Sequence, residues 1–278
     1  MENLNYSYLL PEREHKLTEL SSDNDDVINN IIEENKTVTA FVEEIKDNEL
    51  IARLGSYTCH LPFNEVTIYP LTYSKNTERK YPVQICTILH SIIRAKITHI
   101  DENGEIYISR KKNMQEAVET LKNCKTVFCK VMALSSKAVF CDIGEGVNAM
   151  LNIREITRSR IKNTSDYFHV GDKFSCRVMG FDDLNRFLIS YKEMFKKYNP
   201  EDYQSGDSLE CTVYSPVDEK ISGFYVSVNP QVSGILDVTS WMPTLNYGDK
   251  VEAIVTKSGE KGLKLRYKKV IANAVTTK

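Results

Sequence analysis

The chain closes a strand-like run in nearly the same way three times. Residues 105–112 read EIYISRKK, residues 187–192 read FLISYK and residues 262–269 read GLKLRYKK, about 80 residues apart. A recurrence at that period means that one unit is built several times, which rules out most single-domain folds at once. The central copy, residues 124–192, shows what the unit is. Short runs rich in Val, Phe, Ile and Cys alternate with polar residues, and Gly-Glu-Gly, Gly-Asp and Asp-Asp-Leu-Asn interrupt them. Successive side chains of a strand point to opposite faces, so this alternation, broken by turn formers, predicts five short strands and leaves no room for a long helix. The expected fold class is all-β: three small five-stranded barrels in tandem, joined by short helical linkers.

Composition narrows the function. The 278 residues carry a formal net charge of −2, which conceals an asymmetry. Residues 1–35 hold two basic and nine acidic side chains, whereas residues 123–197 hold thirteen and eight, a surplus of five positive charges. Positive charge gathered on one repeat favours an anionic partner. There is no apolar run of eighteen residues or more, so no membrane span is expected. The amino terminus lacks a basic segment followed by an apolar one, so no secretory signal is expected. The seven cysteines stand singly, with no Cys-x-x-Cys pair. Buried or half-buried reduced thiols in a cytoplasmic protein are the simplest account.

Taken in order, residues 1–35 read as an acidic, largely flexible tail with one short helix around Val27–Ile32. A docking peptide for a larger assembly is the alternative reading of this segment. Residues 36–112 form the first repeat, stretched in its middle. Residues 113–122 form a helical linker, with Met114, Ala117, Val118 and Leu121 at helical spacing. Residues 123–197 form the second repeat, ending in a helix-like stretch before Pro200, and residues 198–278 form the third.

The order of landmarks resembles the RNA-binding domain family named for ribosomal protein S1, whose domains are OB-fold barrels. The second repeat carries the resemblance best, through Asp142-Ile143-Gly144, Leu151-Asn152-Ile153, Val170-Gly171-Asp172, Asp182, Arg186 and Ile189-Ser190-Tyr191-Lys192. The first keeps Asp101 and Ile108-Ser109-Arg110-Lys111, and the third keeps Gly234-Ile235-Leu236 and Gly248-Asp249. The resemblance spans roughly residues 36–270. It implies a binding face on the second, third and fifth strands, where aromatic rings stack bases and a His and an Arg contact the backbone.

Carried over position by position, the second repeat has Lys137 at the first aromatic, Phe140 at the second and Asn152 at the His, with Asp182 and Arg186 in place. In the third repeat Ser222 and Tyr225 stand at the two aromatic positions. In the first, Asn48, Ile51 and Pro62 leave no stacking platform, so this repeat is degenerate. Arg154, Arg158, Arg160 and Lys162 form a basic loop where OB folds border their groove, a candidate for phosphate contacts. For Phe140 a core position is the competing reading, and for Arg186 a solvated hairpin charge. Lys264, Arg266, Lys268 and Lys269 read as ordinary edge charges, and Trp241 as a packing residue.

No phosphate-cradling Gly-Lys-Ser/Thr loop, Gly-x-Ser-x-Gly elbow or His-Glu-x-x-His motif occurs, and the five histidines (His15, His60, His90, His99, His169) are scattered. Neither an enzyme nor a cofactor or metal is expected. The resemblance implies low-specificity binding of single-stranded RNA, mRNA or rRNA, in a role linked to translation or RNA metabolism, with the ribosome or another RNA-associated protein as a partner. The alternative is a scaffold of OB barrels that docks to such an assembly without touching RNA.

Overall fold

A computed structural model describes residues 7, 9–18, 20, 25–73, 80–159, 161–183, 186–216 and 223–273. Of the sequence expectations, Arg160 and Ser222 lie outside the described residues. Fifteen strands form three closed five-stranded barrels. The first comprises β1 (Thr37–Lys46), β2 (Glu49–Leu54), β3 (Tyr57–Pro62), β4 (Ile92–Ile100) and β5 (Ile106–Ser109). The second comprises β6 (Thr126–Leu134), β7 (Ala138–Asp142), β8 (Asn148–Asn152), β9 (Lys173–Phe181) and β10 (Phe187–Ser190). The third comprises β11 (Ser208–Pro216), β12 (Gly223–Asn229), β13 (Val232–Asp237), β14 (Lys250–Gly259) and β15 (Gly262–Ala272). Around each barrel the strand order is first, second, third, fifth, fourth. The third and fifth strands run parallel and close the cylinder, pairing Cys59 with Ile106 in the first barrel and Gly234 with Leu263 in the third. This is the OB-fold arrangement.

The first strand of each outer barrel has to pair with two neighbours, and a bulge bends it to do so. The register shifts between Val42 and Glu44 in β1 and between Val213 and Ser215 in β11. Alternation then sorts the side chains. Val38, Ala40, Val42, Leu50, Ala52, Leu54, Cys59 and Leu61 fill the first barrel. Cys211, Val213, Val226, Leu236, Val251, Ala253 and Leu265 fill the third. All seven cysteines are free; Cys86 and Cys124 are half-buried and the rest buried.

The recurrent strand ending has a local cause. In the first repeat the Ser109 hydroxyl accepts a hydrogen bond from the Lys112 amide (2.9 Å) and caps the helix Arg110–Lys122. The linker helix therefore starts directly at the end of β5, four residues before its apolar stripe. In the second repeat Ser190 takes the same role more loosely, accepting from Glu193 N at 3.4 Å, and only a single 3-10 turn over Lys192–Met194 follows. The helix expected there does not form. In the third repeat Arg266 stands at that position, and β15 runs on to Ala272.

Packing divides the chain into two compact units, and the division cuts through the strands of the second barrel. The first unit holds residues up to 130 together with 141–149 and 181–187; the second holds 131–140, 150–180 and 188–278.

In the first unit the amino-terminal segment departs from the expected flexible tail. Ile28 and Ile31 of helix α1 (Asp25–Glu33) pack into the core of the first barrel. Thr18 pairs with Thr39 of β1 through both its amide and its hydroxyl. Glu12 is only 4% exposed and meets Arg110 in two parallel hydrogen bonds of 2.7 and 2.8 Å. Its Oε1 also accepts from Arg94 N (3.0 Å), and its own amide donates to the Asp142 carboxylate (2.8 Å). Arg94 and Asn113 both donate to Glu145, with His15 3.1 Å from its other oxygen. Gly146 makes room for this: a Cβ there would lie 2.2 Å from Arg110 Nη2 and 2.9 Å from Glu12 Oε2. Acidic sequence that cannot fold alone is held here because its carboxylates find buried partners and its apolar helix face a core.

Asp142, at the end of β7, is 4% exposed beneath this segment. Burial first, and the nearby Glu12 carboxylate second, push its carboxyl up to about 6, against the pull of the Gly144 and Glu12 amides and Arg110. An unfolded aspartate titrates near about 3.9. The stabilisation that protonated Asp142 contributes is therefore fully present below that value and is lost as pH rises through about 6. Asp142→Asn cannot lose a proton. Its stability relative to the parent is expected to improve between about pH 4 and pH 7. Urea midpoints of the two proteins across that range check this; a difference that stays flat or shrinks with rising pH would refute it.

Candidate nucleic-acid interface

The second unit carries most of the residues expected to bind. Along β7, Val139 and Cys141 are buried, while Ala138 and Phe140 point the other way and are half-buried. No ring contact involves Phe140 among the described residues. Lys137 is exposed just before the strand, where its carbonyl accepts the Ile153 amide at 2.9 Å. This backbone bond ties the start of β7 to the basic loop. Asn152 is exposed, and its side-chain oxygen accepts from Arg154 N (3.0 Å), capping the 3-10 turn over Ile153–Glu155. The oxygen of this amide is thus occupied by structure. Arg154, Arg158 and Lys162 are all exposed.

Asp182 and Arg186, which belong to the first unit, form a closed hairpin pair. Arg186 Nε donates to Asp182 Oδ2 at 2.7 Å, and its amide donates to Asp182 Oδ1 at 2.9 Å. The two backbones bond as well, Asp182 N to Arg186 O at 3.0 Å. Both side chains are partly buried, so the guanidinium is oriented by the turn before any ligand arrives.

In the third repeat Tyr225 is half-buried on β12 and lines a groove of about 500 Å³. Lys257, Lys261 and Lys264 line it too. Leu263 and Leu265 point inward, so Lys264 between them stands on the outer face. Gly234 keeps the floor flat: a Cβ there would sit 2.6 Å from the Leu263 carbonyl. Lys264, read from sequence as an edge charge, thus belongs beside Tyr225. The strand period alone could have found it, because β15 alternates Leu and Lys. Lys257 and Lys261 had no such signal, since the hairpin between β14 and β15 had to close before they faced Tyr225. Trp241, read as a packing residue, is 61% exposed, with its ring centroid 5.3 Å from that of Tyr267.

The first barrel brings together rings that are far apart in sequence. Tyr107 stacks on His99 (centroids 4.7 Å apart, planes at 2°) and lies 5.2 Å from His60. His60 in turn meets Glu49 at 2.6 Å and Glu105 at 3.8 Å. Two carboxylates beside these rings make the face a poor host for phosphate. Among the described residues no cluster of three or more His, Cys, Asp or Glu is placed to hold a metal. No helix among them is long and apolar enough to cross a membrane.

Three closed barrels of OB topology, with the recurrent landmarks above, define a tandem array of S1-type domains. Known proteins agree with that class. The chain is 24% identical over 162 residues to the small ribosomal subunit protein bS1 of Staphylococcus saprophyticus, covering 53% of this chain and 40% of that protein. It is 26% identical over 184 residues to the same protein of Leuconostoc lactis, covering 59% and 42%. It is also 24% identical over 255 residues to the 4-hydroxy-3-methylbut-2-enyl diphosphate reductase of Clostridium acetobutylicum, covering 85% of this chain and 39% of the reductase. The chain thus spans about two fifths of the length of these relatives. No protein-family model matches it.

Proposed function

We propose that the protein binds single-stranded RNA with low sequence specificity, centred on the second repeat, in the service of translation or mRNA handling. The observation that carries the reading is Phe140, half-buried on β7 with no ring contact among the described residues, and followed along the chain by Arg154, Arg158 and Lys162, which have no ion pair among those residues. Every base has a π-face, so one such ring accepts any sequence, and Arg and Lys neutralise phosphates regardless of it. Relatives named as ribosomal proteins support a partner on or near the ribosome, and reduced thiols support a cytoplasmic location. Binding without catalysis is the reading adopted here, the part shared with a reductase being two fifths of that enzyme.

Phe140→Ala is expected to weaken a labelled, unstructured RNA of about a dozen nucleotides by about 1–3 kcal/mol, the usual worth of one stacked base. Fluorescence anisotropy on the whole chain measures this, with oligothymidylate titrated in parallel to separate RNA from single-stranded DNA. Unchanged affinity in a folded variant removes Phe140 from the site. A second reading, docking to a protein, has its own support in the first repeat, where Glu49 and Glu105 flank the His60–Tyr107–His99 rings. Absence of RNA binding even at low salt would move the assignment there.

A further inference from the structure

The grooves of the second unit are not separate. One lies along the basic loop, lined by Ile153, Arg154, Thr157, Arg158 and Ile161. A second shares Arg158 with it and reaches Gln231, Ser233 and Lys261. The third, around Tyr225, shares Ser233, Glu260, Lys261 and Gly262 with the second. Through these shared residues the three adjoin one another in a trough that leads from the second repeat to the third.

The joint between the repeats is built from specific bonds. Arg158 N donates to the Pro230 carbonyl at 2.8 Å, holding the basic loop against the turn between β12 and β13. From that turn Gln231 Nε2 donates to the Lys192 carbonyl (2.9 Å) and to Glu193 (3.2 Å). Tyr247 donates to the Asp166 carbonyl (2.7 Å), and Tyr167 stacks on Tyr214 with planes 7° apart. Loop and turn are therefore fixed to each other without a ligand.

Some cations of the second unit are paired and others are not. Lys192, Lys196, Lys250, Lys268 and Lys269 each pair with a carboxylate. Among the described residues Arg154, Arg158, Lys257, Lys261 and Lys264 have no ion pair, though Glu260 stands among them at the joint. Five cations without an ion pair among the described residues, lining adjoining grooves together with Tyr225, match the chemistry of a single nucleic-acid strand: phosphates in a row and bases that stack.

We propose that one RNA strand is held continuously across the second and third repeats, from Arg154 and Arg158 over Lys261 to Tyr225. This rests on the RNA reading above and adds that the two repeats form one site, not two. The consequence is a gain with length. The second repeat anchors one end, and the effective concentration of the other end at Tyr225 then far exceeds that of free RNA.

The test compares labelled oligouridylates of about five and about fifteen nucleotides on the whole chain, within the span of OB-fold site sizes. The longer RNA is expected to bind one to one and at least about tenfold tighter. Tyr225→Ala, or Lys261→Glu with Lys264→Glu should the first variant unfold, is expected to remove most of that gain. Equal binding of both lengths, two long RNAs per chain, or a gain that survives both variants would overturn the continuous path while leaving RNA binding intact. No binding of either length would overturn the RNA reading itself, and this proposal with it.

Discussion

Replacing Glu12 with alanine is expected to destabilise the first unit by about 3–5 kcal/mol, the usual cost of stranding one partner of a buried ion pair. Arg110 is as enclosed as Glu12, and its other hydrogen-bond partners, the Val66 carbonyl and the Met114 sulfur, carry no charge. With Glu12 gone, its guanidinium would remain desolvated and the Arg94 amide would lose an acceptor. The urea midpoint of the whole protein should fall sharply, and the amides of residues 9–18 should lose protection from hydrogen exchange. Two apolar residues of similar size at positions 12 and 110 should recover much of the loss, since a packed apolar pair dispenses with the desolvation cost. An alanine variant as stable as the parent would show that the segment is not held through Glu12.

The second large effect is on salt. If phosphates lie along Arg154, Arg158, Lys257, Lys261 and Lys264, binding releases about five counterions' worth of screening, and log K should fall against log salt with a slope near about −3.5. Raising salt from about 50 to about 200 mM should then weaken RNA binding about 100-fold. Each neutralising substitution, such as Arg158→Ala, should flatten the slope by about 0.7. Phe140→Ala should lower affinity at every salt concentration with the slope unchanged, because a stacked ring releases no ions. Binding that barely responds to salt would mean that the trough cations do not touch the ligand.

The all-β class and three repeats of five strands were legible in the sequence. Each rests on strand alternation and turn residues, which act over a few positions and recur with the repeat. The same alternation turns Val139 and Cys141 inward and Phe140 the other way, the position that sequence left open between core and outer face. The length of the linker helix depended on a single hydroxyl at Ser109, and the matching turn after Ser190 shows how little separates a helix from a stop.

What only the tertiary structure decided is where charges end up, because a charge is placed by partners distant in sequence. Glu12 looked like any acid of a mobile tail until Arg110, 98 positions away, closed on it. Asp142 followed strand alternation to an outer face, and the amino-terminal segment then buried it. Lys257 and Lys261 meet Tyr225 only after β14 and β15 fold back, and Arg158 joins them through one bond to Pro230. Local pattern determined the barrels of this protein; long-range pairing of ions and backbone determined which faces of them stay open to a ligand.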